Sequence, residues 1–417
     1  MNRMFRLQNP VKHYDWGSPE WIPRLLGAAN PEGLPWAELW MGVHPEGSSI
    51  TEYAGTALPL SALIAQDPVG YVGTAIRQAF GTLPFLFKLL AVEKPLSIQA
   101  HPNQEQAQRG WEWENQLGIP LKAPYRNYKD PHHKPELICA LSPFKALCGF
   151  QEPEQIVRGL TAFSQSAPEP LYRAFQSLTQ TLQTGTTTQS LRAFLQELFD
   201  LPSARGRALS AYVRDCQERL SNEYPVYKEV WELMAYFAEL YPGDPAVLSP
   251  LYLNQIELAP DEGLYLPAGV LHAYLSGFGV ELMANSDNVL RCGLSSKHVD
   301  SEELIRILDF SVFHPHILRV QGGRYQTPAQ EFSLWVMEGQ GGQVQHPQFL
   351  PGILIVTQGK LHITSSTGEG EWSLKQGESA FIPAGRREDL LFSGTYTLYG
   401  AGVGSLFIEE NENTGGC

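Results

Sequence analysis

Cysteine is scarce in this 417-residue sequence: Cys139, Cys148, Cys216, Cys292 and Cys417 make an odd set of five with no CxxC pair. A disulfide framework and an all-cysteine zinc site are both disfavoured by that pattern. No window approaches 18 consecutive apolar residues, so no membrane-spanning helix is expected. Positive charge is also short, with 30 Lys and Arg against 44 Asp and Glu, a net charge of −14. A surface of that sign repels phosphate backbones and anionic lipid, so neither nucleic acid nor a membrane is an expected partner. Met1 to Pro10 carries no apolar run of the signal-peptide kind, and a cytoplasmic location is expected.

The sequence is rich instead in turn formers and apolar residues: 38 Gly, 31 Pro, 43% hydrophobic and 11% aromatic. A well-filled interior with many turns follows, and the length predicts more than one packing unit. From 1 to 150 the apolar runs are short and bounded by Pro and Gly, as in Leu83 to Val92 and Glu136 to Ala140, which reads as buried strands. From 151 to 249 the texture is helical. Leu191, Phe194, Leu195, Leu198 and Phe199 form one apolar stripe, and Val230, Leu233, Met234, Phe237 and Leu240 form another. The Thr- and Gln-rich stretch 180–190 reads as a surface loop between helices. Strand signals return from about 250. There Gly263 to His272 and Ser379 to Glu388 share a short apolar strand followed by Pro-Ala-Gly, which predicts an internal duplication. The second copy is preceded by Ile353 to Ile363, expected as a strand, a Gly turn and another strand. Where the first copy has His272 the second has Glu388, so the second is expected to lack the chemistry of the first.

Three stretches concentrate metal-ligating side chains. In Lys94-Pro-Leu-Ser-Ile-Gln-Ala-His-Pro102 a strand places Ser97, Gln99 and His101 on one face. In His132-His-Lys-Pro-Glu136 the residue before proline is held extended, so His132, Lys134 and Glu136 are expected to project together. In Pro267-Ala-Gly-Val-Leu-His272 a tight turn presents one imidazole at the head of the next strand. Gln99, His101, Glu136 and His272 would supply two imidazoles, one carboxylate and an amide oxygen. That donor set suits zinc, or more loosely manganese, iron or cobalt, and leaves a bound divalent ion Lewis-acidic. Tyr14-Asp-Trp-Gly17, His13 and His44 read as structural.

Six ordered stretches carry a resemblance to a known family: Tyr14-Asp-Trp-Gly17, Glu38 to Pro45, Leu96 to Pro102, His133-Lys-Pro-Glu136, Tyr265 to Tyr274 and Ser286 to Gly293. Together they resemble the type I mannose-6-phosphate isomerases. The resemblance implies a mainly β fold of two cupin-type jelly-roll barrels. A catalytic barrel would comprise 1–150 with 250–312, a helical insertion 151–249, and a degenerate C-terminal barrel 313–417. It implies one Zn2+ held by Gln99, His101, Glu136 and His272, catalytic roles for Arg291 and Lys134, and substrate-facing roles for Ser97, Lys88 and Asp287. The implied reaction interconverts mannose 6-phosphate and fructose 6-phosphate through a cis-enediol, with a small sugar phosphate as partner and a monomer as the working unit.

That chemistry needs a base, a polarising cation and a proton relay. Lys134 and Glu281 compete for the role of carbon base, with Lys134 favoured. Arg291 is suited to phosphate or enediolate, or to an ion pair with Asp287. Lys88, inside the run Phe85-Leu-Phe-Lys-Leu-Leu90, needs an anion if buried and otherwise snorkels to water. Two other readings stand beside the isomerase: an iron-dependent cupin oxygenase and a non-enzymatic sugar-binding cupin. Gln99 at the first ligand position speaks against iron, and a binding protein has no need of Lys134 or Arg291.

Overall fold

The structure is a computed structural model that describes residues 4–342, 344–345, 351–365, 370–384 and 390–404. Glu388, Cys417 and the polar tail from Glu409 lie outside the described residues. The chain is mainly β-sheet, with helices concentrated in its middle.

Among the described residues the larger sheet has eleven strands arranged as two layers joined by one long strand. The first layer runs Ile317–Leu318, Gly263–Leu266, Glu136–Ala140, His272–Ala284, Phe85–Val92, Glu38–Gly42 and Val11–Lys12. The joining strand, His272–Ala284, belongs to that layer only through its second half, where Gly277 to Ala284 pair with Val92 to Phe85. Its first half pairs instead with Phe144–Phe150 and, at His272, with Ile98–Ala100. Leu253–Leu258 and Leu290–Gly293 complete this second layer. The bend is set at Gly277, which adopts φ +124 and lies where a Cβ would come within 2.7 Å of the Pro143 carbonyl and the Phe144 ring. Only glycine meets both demands.

The smaller sheet repeats this device. Gly352–Ser365 is a single strand of 14 residues, not the expected strand, turn and strand; a register shift between Val356 and Gln358 bends it without breaking it. Its first half pairs with Ser379–Ile382 and Thr395–Gly402, and its second half with Glu371–Lys375 and Leu390–Ser393. The division expected from sequence is crossed at two edges. Phe5–Leu7, from the N-terminal end, pairs with Ser379–Ile382 in the smaller sheet, and Ile317–Leu318 pairs with Gly263–Leu266 in the larger.

Phe85–Val92 is buried along its whole length because both of its faces are covered. Phe85, Phe87, Leu89 and Ala91 pack on Ile353, Ile355, Phe381 and Tyr399 of the smaller sheet, whereas Leu90 and Val92 point between the layers of the larger. Period-two alternation along one strand therefore serves two cores. Polar contacts also cross between the sheets. Tyr399 donates to Asp261 Oδ1 at 2.7 Å, and Tyr325 donates to the Asp261 carbonyl at 2.8 Å.

Five long helices, from Pro153–Ser164 to Lys228–Leu240, lie between Phe144–Phe150 and Leu253–Leu258, strands that pair with each other. The first stripe is buried at Leu191, Phe194, Leu195 and Leu198. The second is shifted: Trp231, Met234, Phe237 and Ala238 are buried while Leu240 is exposed. The expected loop 180–190 shrinks to 183–186, because the Thr186 side chain and Gln189 form a capping box that starts Thr187–Phe199 inside the Thr-rich stretch. A similar Asn103–Gln106 box starts Gln104–Gln116, a helix within the region read as strands.

Replacing Gly277 with Ala should cost about 1–3 kcal/mol through backbone strain alone, before any clash with Pro143 and Phe144. Chemical denaturation checks it, and a variant as stable as the parent would mean the bend tolerates a side chain.

Candidate active site

Backbone register sets two rows of side chains facing each other across the larger sheet. In the second layer, Cys148 lies opposite His272, His272 opposite Gln99, and Gln99 opposite Arg291. Directly opposed residues share a face, so these four form one row. In the first layer the row is Trp40, Lys88, Glu281 and Ile138. Glu136 lies two residues before Ile138 and so shares its face.

Glu136 is the meeting point. Its Oε1 lies 3.3 Å from His101 Nε2 and 2.8 Å from Lys134 Nζ, and its Oε2 lies 3.4 Å from His272 Nε2. Gln99 Nε2 lies 3.5 Å from His272 Nε2. Each imidazole is oriented through its other nitrogen: His101 Nδ1 lies 2.7 Å from the Asn288 carbonyl, and His272 Nδ1 lies 3.0 Å from the Val270 carbonyl. A carbonyl only accepts, so both Nδ1 atoms carry the proton and both Nε2 lone pairs face the carboxylate. The Gly269 N–H donates to the His101 carbonyl at 2.8 Å, tying the Pro-Ala-Gly turn before His272 to the other imidazole.

This arrangement fits a cation. His101 Nε2 and Glu136 Oε2 are buried and have no hydrogen-bond partner, an expensive state for two acceptors in one small cluster. Among the described residues, His101, Glu136 and His272 are the one such group, with ligand atoms within 4.8 Å of one another. Burial pushes His101 down to about 4, so its imidazole is neutral and ready to ligate. Burial would raise Glu136, but the opposing charge of Lys134 leads the influences that hold the carboxyl well below its ordinary range. His132, expected to project beside Lys134 and Glu136, is exposed instead.

Lys88 is buried and finds its anion within the protein. Its Nζ lies 2.7 Å from Glu281 and 3.9 Å from Glu38, and Trp40 donates its indole N–H to Glu38. Burial opposes its charge, but these carboxylates raise the ammonium above its ordinary value. Burial, with Glu136 and Glu38 nearby, raises Glu281 against the pull of Lys88 and Lys134. The rival placement of Lys88 as a snorkelling residue is thus ruled out by its burial.

Arg291 makes no ion pair or hydrogen bond among the described residues, and the expected partner Asp287 lies instead 3.6 Å from His44 Nε2. Burial lowers Arg291 somewhat, and a guanidinium stays charged regardless. Burial lowers the exposed Lys297, helped by the positive charges of Arg291 and Lys129 and opposed by Asp15. Ser97 is half-buried just before Ile98–Ala100.

Some members of this site were missed in the sequence. His44, read as structural, is 2% exposed, packs edge-on against Trp40 at 4.9 Å and feels the charges of Lys88 and Lys134. Its only local signal was position, two residues past Gly42 at the end of Glu38–Gly42. Lys129 and Lys297 carry no pattern at all. His13, by contrast, is exposed and bonded to the Pro35 carbonyl, and Tyr14 to Gly17 form a turn with Gly17 pressed on Ala37.

Residues 4–153 match the model of the family described as phosphomannose isomerase type I, catalytic domain. Mannose-6-phosphate isomerase of Escherichia coli (strain K12) is 37% identical over 389 residues, covering 91% of this chain and 95% of that protein. The human mannose-6-phosphate isomerase is 33% identical over 415 residues, covering 92% of this chain and 94% of its own. Among solved structures, mannose 6-phosphate isomerase from Salmonella typhimurium bound to fructose 6-phosphate and zinc superposes with a TM-score of 0.85 at 34% identity, covering 96% of this chain and 99% of that one.

Lys88→Met should destabilise the protein by about 3–5 kcal/mol, because it strands Glu281 as a buried, uncompensated carboxylate. Adding Glu281→Gln should recover much of that loss. A denaturation double-mutant cycle reads the coupling, and strictly additive effects would contradict a direct pair.

Proposed function

The chain belongs to the type I phosphomannose isomerase family, and from that premise we propose that it interconverts D-mannose 6-phosphate and D-fructose 6-phosphate. The reaction is a metal-dependent aldose–ketose isomerisation through a cis-enediol, and its partner is a small sugar phosphate. The observation that carries this reading is the convergence of His101, Glu136 and His272, two of their buried acceptors unpartnered, beside Lys134. The metal is one Zn2+, held by Gln99, His101, Glu136 and His272. When bound, it supplies a Lewis acid that polarises a substrate oxygen.

The remaining chemistry falls to the chain's own residues. Lys134, whose ammonium pairs with Glu136 here, would be the base that moves the proton between adjacent substrate carbons once a bound cation took over that carboxylate. It is preferred to Glu281, whose carboxylate is held at 2.7 Å by Lys88 within the sheet. Glu281 and Lys88 act as a fixed charged pair lining the pocket floor. Arg291, without an internal anion, is free to bind the phosphate or the developing enediolate, and exposed Lys129 and Lys297 add positive charge beside it. Asp287 and Ser97 border the pocket and face substrate hydroxyls. An iron oxygenase is disfavoured by the amide at Gln99, and a storage cupin has no use for Lys134 against the carboxylate.

The two bent strands, His272–Ala284 and Gly352–Ser365, support reading the sheets as two cupin-type jelly rolls. The catalytic one comprises 1–150 with 250–312 and the degenerate one 313–417, apart from the exchanged edge strands. The helices of 151–249 enter and leave at one antiparallel pair, as an insertion does. No helix among the described residues is long and apolar enough to cross a membrane. We take the enzyme to be a cytoplasmic monomer without nucleic-acid partners, in keeping with its net charge of −14.

Chelation should abolish mannose 6-phosphate turnover and added Zn2+ should restore it; full activity in metal-free protein would overturn the reading. Glu136→Ala should lose the metal, measured by elemental analysis, whereas Glu388→Ala should keep both metal and turnover.

A further inference from the structure

Glu331, just ahead of a strand of the smaller sheet, reaches the segment that carries Lys134. Glu331 precedes Ser333–Gln340, and its Oε1 lies 2.7 Å from His133 Nε2, the residue before Lys134. Several contacts fix Glu331 from behind. Ala329 and Phe332 on either side are buried in the core shared by the two sheets, and the Gly404 N–H donates to the Gln330 carbonyl at 3.0 Å. Gly404 lies where a Cβ would come within 2.2 Å of the Ala329 carbonyl, so the chain is tightly seated there.

The segment that Glu331 holds needs such support. Residues 130–134 form no helix or strand, and their polar contacts come from three other directions. Asn288 Nδ2 and Ser286 Oγ donate to the His132 carbonyl at 2.9 and 3.1 Å. Gln104 accepts from the His133 N–H at 3.2 Å and donates to the Pro131 carbonyl at 2.8 Å. All of these are backbone contacts. Among the described residues, two charged groups grip side chains of the segment: Glu136 holds Lys134 itself at 2.8 Å, and Glu331, from outside the larger sheet, holds the adjoining His133. Pro135 then stiffens the backbone on the other side.

We propose that Glu331 is a positioning residue for Lys134, so that the smaller, C-terminal sheet sets the geometry of the catalytic amine without touching substrate. This rests on Lys134 acting in the isomerase reaction, as inferred above. Catalysis requires near-attack placement, and loss of about 1 Å of precision costs up to about a hundred-fold in rate. The smaller sheet is then required for turnover as well as for covering the outer face of the larger one.

The test compares variants of the zinc-loaded, full-length enzyme. Glu331→Ala should lower kcat about ten-fold or more, with KM nearly unchanged and zinc content intact. Amide hydrogen exchange at 130–134 should rise in the metal-free protein too. Glu331→Gln keeps an oxygen to accept from His133 and should recover most of kcat. Tyr399→Phe removes a different contact across the same interface, so it should lower the thermal midpoint and leave kcat alone. Should Glu331→Ala fail to fold, Glu331→Asp, which withdraws the carboxylate by one methylene, should show the same selective loss of kcat. Wild-type kcat in a folded alanine or aspartate variant, or a loss that Tyr399→Phe matches, would overturn the proposal. A parent enzyme inactive on mannose 6-phosphate would sink the functional reading instead, and the exchange comparison would still decide whether Glu331 orders the segment.

Discussion

A carboxylate buried to within 1% of complete exclusion from solvent organises this molecule. Taking Glu136 out of water costs several kcal/mol unless cations and donors surround it. Lys134 at 2.8 Å answers part of that cost, and the imidazoles do not, since they turn lone pairs toward it. The donor set would therefore suit a cation, which His101, Glu136 and His272 would hold. A wider count points the same way. Within the inter-layer space three carboxylates (Glu38, Glu136 and Glu281) face two ammoniums (Lys88 and Lys134). A divalent ion would reverse that small negative excess, leaving a pocket whose sign suits an anionic sugar.

Holding those charges requires rigid elements, which the two bent strands provide. His272–Ala284 carries His272 at one end and Glu281 toward the other, so one continuous strand places both a ligand and the anchor of Lys88. Cross-strand pairing then fixes Gln99 and Arg291 beside His272, and Lys88 beside Glu281. A shift of one residue in register would turn each of these side chains to the opposite face. The apolar faces of Phe85–Val92 and its neighbours guard against that slip, since it would bury Lys88 in the core between the sheets and expose phenylalanines to the polar pocket.

The convergent positions His101, Glu136 and His272 were legible because proline marks them. Pro102 follows His101, Pro135 precedes Glu136, and Pro267 opens the turn before His272, so local backbone shape could be read without the fold. Lys134 was legible through the same spacing to Glu136. What stayed hidden depends on contacts between distant segments. Nothing near His44 signals Asp287, nothing near His133 signals Glu331, and the pairing of Phe5–Leu7 with Ser379–Ile382 joins the two ends of the chain. Helix starts at Thr186 and Asn103 escaped for another reason: the first lies in a stretch read as a loop and the second in a region read as strands, while capping chemistry in these residues initiates helices.

The global and local electrostatics of the chain oppose each other, and distance decides between them. A net charge of −14 repels a sugar phosphate at long range, yet exposed charges are largely screened beyond about 8 Å at physiological ionic strength. Inside that distance only nearby groups matter. Lys129 and Lys297 are exposed and Arg291 is half-buried, so an anion bound there would meet the ammoniums first and the guanidinium deeper. The charges of Arg291 and Lys129 acting on Lys297 are opposed by Asp15, and a bound anion would relieve what remains of that repulsion. The acidic remainder of the surface would repel polyanions, while this local cluster would suit a phosphate small enough to fit within the screened zone.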